Sequence, residues 1–124
     1  MPALNFKKQF AGKVEAGTKP LTIRALRKDG RNPRPGQTLY LYTGMRTKYC
    51  KKLGEAICKS VEQIAIEGSA VTIGVNRLSF KQENALAKAD GFDCFLDFLE
   101  FFRETHGLPF YGLLIKWNEF IMQL

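Results

Sequence analysis

At 124 residues, 45% hydrophobic and 25% charged, the chain is sized for one domain spanning residues 1–124, and this composition excludes intrinsic disorder. No window approaches the roughly 18 apolar residues of a membrane helix, and residues 1–5 carry no charged lead into an apolar run, so a cytoplasmic protein with no membrane partner is expected. Of the net +7, residues 1–60 hold 14 Lys and Arg against 3 acids and residues 61–124 hold 5 against 9, a split that implies a polyanionic partner or a merely solubilising basic surface.

Leu4 to Phe6 reads as a first strand or lead-in. Phe6, Phe10 and Val14 then recur at every fourth residue, which predicts a helix ended by Gly17. The stretch Gly17-Thr18-Lys19-Pro20-Leu21-Thr22-Ile23-Arg24 follows. Pro20 holds Lys19 extended, and strand alternation sends Thr22 and Arg24 to one face with Leu21 and Ile23 to the other. Residues 27–36 are rich in Gly and Pro and carry Arg27, Lys28, Arg31 and Arg34, a basic loop suited to solvent or to phosphates.

Thr38 to Thr43 alternates strictly, with Leu39 and Leu41 inward and Tyr40 and Tyr42 on the opposite face. Residues 44–52 then place Arg46, Lys48, Lys51 and Lys52 around Tyr49 with no acid, in the loop expected to leave the tyrosine strand. Lys and Arg interleaved with Tyr suit single-stranded nucleic acid. Ile57 to Glu67 and Val71 to Val75 read as two strands about a turn at Gly68 and Ser69, and a break in phase between Val61 and Ile64 suggests a bulge.

Ser79-x-x-Gln82 is a capping-box pattern opening a helix that ends near Asp90 and Gly91. A carboxylate at that end opposes the helix dipole, so Asp90 should have a cationic partner or a task. Asp93 is read as the cap of a last helix with Phe95, Phe98, Leu99 and Phe102 as its core stripe. Its acidic row of Asp93, Asp97, Glu100 and Glu104 should repel nucleic acid, so that a strand lies opposite. Phe110 to Trp117 reads as a central strand buried on both faces. Phe120, Ile121, Met122 and Leu124 either fold back or form a dimer contact, giving a monomer or weak dimer. Cys50, Cys58 and Cys94 lack C-x-x-C spacing and His106 is remote from them, so free, buried or semi-buried thiols, no metal and no cofactor are expected.

Gly-Thr-Lys-x-x-Thr-Ile-Arg after an amphipathic helix resembles the signature of the ASCH family of the PUA-like superfold. Residues 35–44, Ala87 to Phe92 and Gly107 to Phe110 agree with it in the same order. The resemblance implies an α+β fold: a small mixed β-barrel, closed by the strand from Phe110, with two or three flanking helices and a cleft between them. In relatives that are amidohydrolases of N-acetylated cytidine nucleosides, a Lys, a Thr and a Glu form the catalytic set. Lys19 and Thr22 match, and Asp90 stands in the Glu position one methylene shorter. Glu83 is the alternative carboxylate, two turns earlier.

The expected nucleic-acid contacts are Arg24, Arg27, Arg31, Arg34, Tyr40, Tyr42, Arg46, Lys48, Lys51 and Lys52. A neutral nucleoside gains nothing from so basic a half, so binding or processing of single-stranded RNA or DNA is the first reading. Beside it stand an amidohydrolase of a modified nucleoside, with Thr22 as nucleophile, Lys19 as its activator and Asp90 as acid/base, a ribonuclease, and a regulatory interaction module without catalysis.

Overall fold

A computed structural model of the chain describes residues 2–117; the expected fold-back of Phe120, Ile121, Met122 and Leu124 lies outside the described residues. The described elements are β1 (Ala3–Phe6), α1 (Lys8–Glu15), β2 (Leu21–Ala25), β3 (Thr38–Thr43), β4 (Lys51–Ile57), β5 (Ser60–Glu67), β6 (Ala70–Ile73), β7 (Asn76–Arg77), α2 (Phe80–Ala89), α3 (Phe95–Thr105) and β8 (Phe110–Lys116). The fold is α+β. None of these helices is long and apolar enough to cross a membrane.

The strands do not close into the expected barrel. They form two sheets, ordered β1-β3-β4 and β2-β8-β5-β6-β7. The three-stranded sheet is mixed, with β1 parallel and β4 antiparallel to β3. The outer edge of β1 meets arginine side chains where closure would need a strand: Arg24 Nη2 donates to the Asn5 carbonyl at 2.7 Å and Arg27 Nη2 to the Ala3 carbonyl at 3.1 Å. Arg24 lies on β2, so side chains join the sheets at this seam.

β8 holds an interior position, flanked by β2 and β5. Its consecutive buried residues serve two cores. Leu114 packs with Leu21, Ile23, Ile64, Ile66 and the inner faces of α2 and α3, while Leu113 and Ile115 pack with Leu4, Phe10, Leu39 and Leu41. A strand covered on both faces has no need of apolar alternation. Tyr111 is the exception on this strand, exposed and donating to Glu67 at 3.1 Å.

The same division explains the phase break expected as a bulge between Val61 and Ile64. β5 pairs with β8 in unbroken register from Ser60 to Ile66. Ile64 and Ile66 face one core and Val61 packs against the other, so the change of phase is a change of partner. A register shift does occur between β3 and β4, where Leu53 is left over between the pairs Leu41–Gly54 and Tyr42–Lys52. The expected strand from Ile57 is two strands, because Ile57 ends β4 and the chain passes to the second sheet through Cys58 and Lys59.

The helices follow the pattern more closely. Phe10 and Val14 are the buried face of α1, Phe6 belongs to β1 in the same core, and Gly17 takes φ +80° just past the helix. In α2, Ser79 Oγ accepts from the Gln82 N–H and Gln82 Oε1 from the Ser79 N–H, a complete capping box. Cys94, not Asp93, is the N-cap of α3, without a side-chain cap bond. Cys58 is buried and Cys94 half-buried as expected for free thiols, whereas Cys50 is exposed.

Candidate functional site

Three segments distant in sequence meet in one cleft of about 240 Å³ where β2, β1 and the end of α2 converge. The αL turn at Gly17 and the extended run through Pro20 send Lys19 inward, where it is only 2% exposed. The dihedrals of Asp90 end α2, and Gly91 follows at φ +96°. A Cβ on Gly91 would stand 2.9 Å from Phe10 Cδ1, so a bare backbone is needed there.

Lys19 Nζ donates to the carboxylate of Asp90 and, at 2.8 Å, to its backbone carbonyl. Lys13 Nζ donates to the Gly91 carbonyl at 2.7 Å. Two ammonium groups thus satisfy the open carbonyl end of α2, and Asp90 has its cationic partner in Lys19. Thr22, 4% exposed, points into the same cleft, and its hydroxyl accepts from Arg24 Nε at 3.0 Å. Among the described residues Lys19 bonds Asp90 and not Thr22, so the Lys–Thr contact expected of an activator and its nucleophile is replaced by an Arg–Thr contact.

Burial dominates the electrostatics. Desolvation pushes the Lys19 ammonium below its ordinary range and the Asp90 carboxyl above its own, each opposed by the partner's charge. Arg24 is held down to about 10, again chiefly by burial, and remains a cation at neutral pH. His106, on the rim, is shifted down by desolvation and then by the positive charges of Lys7 and Arg24. Cations lie over rings here. Lys19 Nζ is 5.1 Å from the Phe10 centroid, and Arg24 Cζ is 4.8 Å from that of Phe6.

The structure brings Lys19, Thr22, Asp90 and Arg24 together and places the other candidates elsewhere. Glu83 is buried on the first turn of α2, hydrogen-bonded by the Val71 backbone and outside the cleft. Arg27, Arg31 and Arg34 line a separate concavity of about 380 Å³. Tyr40 and Tyr42 lie on the face of β3 opposite Leu39 and Leu41, half-buried, with Lys52 Nζ 5.5 Å from the Tyr40 centroid.

The basic segment is less available than its sequence implies. Lys51 pairs with Glu15 at 3.2 Å and Lys52 with Glu55, while Arg46 and Lys48 pair with no carboxylate among the described residues. The segment reaches the cleft mouth at one point, where the Met45 N–H donates to Asn5 Oδ1 at 3.0 Å.

Sequence reading missed Asn5, whose side chain holds Met45 and whose carbonyl holds Arg24, and the ring lining of Phe6, Phe10, Phe92 and Phe101. Their apolar spacing signalled core, and only topology turns them toward Lys19. The acidic row also lies elsewhere than expected. Asp93, Asp97, Glu100 and Glu104 border a depression that shares Phe10, Phe92 and Phe101 with the cleft, so they flank it instead of facing away.

The chain matches none of the protein-family models, curated proteins or solved structures with which it was compared.

Proposed function

We propose that the chain is a cytoplasmic nucleic-acid-binding domain of the ASCH kind, in the PUA-like superfold, that takes single-stranded RNA or DNA with a base in the ring-lined cleft. One observation carries this reading. The half-buried rings of Phe92 and Phe101 line one cleft with Lys19 and Arg24, and no arginine of the neighbouring loop pairs with a carboxylate among the described residues. Rings accept bases without regard to sequence, and guanidinium groups take the phosphates between them. The +11 of residues 1–60 supports a polyanion over a neutral ligand.

A second reading, an amidohydrolase of N-acylated cytidine-type nucleosides, is favoured by the enclosure of Lys19, Thr22 and Asp90 in one small cleft. Thr22 Oγ would attack the acyl carbon, the amide C–N bond would break as the cytosine amine leaves with the proton taken from Thr22, and water would then hydrolyse the acyl ester to release the acid and restore the hydroxyl. Lys19 would have to leave Asp90 to take the hydroxyl proton, which its burial assists by favouring the neutral amine.

Both readings are tested together by anisotropy of a labelled single strand over a salt series and by acetate release from N-acetylcytidine. For about four phosphate contacts the log–log slope should be roughly −3, at about −0.7 each, with no acetate released. No binding at low salt overturns the first reading, and acetate release that Thr22→Ala abolishes establishes the second.

A further inference from the structure

The loop from Arg27 to Gln37 is unusually fixed for a Gly- and Pro-rich surface segment. Each of its three arginines is held by its own backbone N–H on a side-chain oxygen. Arg27 N–H donates to Asn32 Oδ1 at 2.9 Å, Arg31 N–H to Asp29 Oδ1 at 2.9 Å, and Arg34 N–H to Gln37 Oε1 at 2.8 Å. The far end is tied to the end of β4, extending its pairing with β3, by Gly36 N–H to the Cys58 carbonyl and Cys58 N–H to the Gln37 carbonyl, both 2.8 Å. The guanidinium groups are therefore carried on a preformed frame.

Those groups are also uncompensated. Arg27, Arg31 and Arg34 border one concavity of about 380 Å³, and among the described residues no carboxylate pairs with any of them. Asp29 is the one acid on the rim, and one of its oxygens already accepts from Arg31 N–H. No aromatic ring lines this concavity, in contrast to the cleft. Its cationic lining suits oxyanions and has no ring on which a base could stack.

The concavity and the cleft are neighbours, with a third hollow between them. A narrow trough of about 210 Å³, lined also by the buried Leu4, Leu113 and Ile115, shares Arg24 and Ala25 with the cleft, and Arg27 and Asn32 with the arginine loop. On the side of Phe92 and Phe101, the acidic row of α3 borders a depression next to the cleft. A polyanion seated in the cleft is repelled on the α3 side and drawn along the trough.

We propose that the concavity of Arg27, Arg31 and Arg34 is a phosphate subsite for the strand whose base occupies the cleft, reached along the trough past Arg24, so that the ligand is a phosphate-bearing strand and not a free nucleoside. The direction of the strand rests on the nucleic-acid reading above. The anion site itself stands on the loop alone. Planar guanidinium groups bind phosphate oxygens in pairs, and two or three on a rigid loop fix one phosphate group in place.

The test uses Arg31→Gln/Arg34→Gln in the full chain and leaves Arg27, whose Nη2 holds β1, untouched. An octamer of cytidylate should bind the variant about ten- to a hundredfold more weakly than wild type, the range of one or two charge-assisted bonds. The salt slope should become shallower by about 1.4, two contacts at about 0.7 each. Cytidine alone should give the same dissociation constant with both proteins. An unchanged octamer affinity and slope overturns the subsite while leaving the nucleic-acid reading intact. If wild type binds no octamer, that reading fails, and inorganic pyrophosphate decides the subsite separately. Amide shifts at Arg31 and Arg34 that the variant lacks support it, and their absence in wild type overturns it.

Discussion

Replacing Lys19 by Met tests whether the cleft is held together by its ion pair. The Lys19 and Asp90 side chains are 3% and 6% exposed, so neither charge is shared with water. Lys19→Met keeps the aliphatic stem and leaves a buried carboxyl without its donor. Removing one partner of such a pair costs about 3–5 kcal/mol. In a chain of this length that lowers Tm by roughly 10–20 °C, at about 4 °C per kcal/mol. Asp90→Asn should cost less, because Lys19, already shifted downward by burial, can shed its proton and stay in place as a neutral amine. The double variant should recover part of the loss, with a coupling of about 2–3 kcal/mol between the positions. Urea unfolding followed by Trp117, the chain's one tryptophan and 4% exposed, reads all four proteins. Single variants that each cost under about 1 kcal/mol and add without coupling would refute the pair's role, since contacting buried charges cannot act independently.

Gly112→Ala should destabilise the protein by about 1–3 kcal/mol, as overpacking does, because a Cβ there would stand 2.4 Å from the Arg24 carbonyl oxygen and 2.7 Å from the Phe110 ring. It should also displace Arg24, and an unchanged unfolding midpoint would contradict so close a β2–β8 approach. His106 supplies a pH dependence whose sign follows from its burial and the cations beside it. Its folded value lies below 6.5, so the unfolded chain binds more protons as pH falls below about 6.5, and stability is lost over that window and flat above it. His106→Phe, which can keep the stacking on Phe102 and Phe110, should narrow the loss; identical pH profiles for the two proteins would refute the assignment.

Local rules carried the helices because their signals are local. The Ser79/Gln82 box, the phenylalanine stripe of α3 and Gly17 each depend on residues within one or two turns. β4 went unread for the opposite reason. Lys51 and Lys52 at its start made it look like a charged loop, and its place in the sheet is set by pairing with Thr38 to Thr43. A strand whose burial alternates weakly shows itself only through its partner. Val61 and Ile64 carried a true signal of changing faces, but one sequence cannot say whether a bulge or a second core is responsible.

Lys19, Thr22 and Arg24 were legible because a single strand and its lead-in place them, and Asp90 because a carboxylate at a helix C-terminus is anomalous without a cation. Asn5 was not, since its contribution is partly a backbone carbonyl that gains meaning only when Arg24 arrives.

The open seam and the candidate site have a common cause. Had β1 and β2 joined in a ladder, the Ala3 and Asn5 carbonyls would have been satisfied by backbone N–H groups, and Arg24 and Arg27 would have had no inward partners. As built, each arginine spends part of its guanidinium on the seam: Arg24 uses Nε on Thr22 and Nη2 on Asn5, and Arg27 uses Nη2 on Ala3. A guanidinium carries five N–H donors, so at least half of each group remains to face the trough. The bonds already made fix the plane in which the remaining donors lie, which lowers the entropy lost when an anion is bound. In the proposed subsite, structural and recognition roles would therefore coincide in these two residues, whereas Arg31 and Arg34, with no described side-chain bond to the sheets, are where anion binding would be removed without opening the fold.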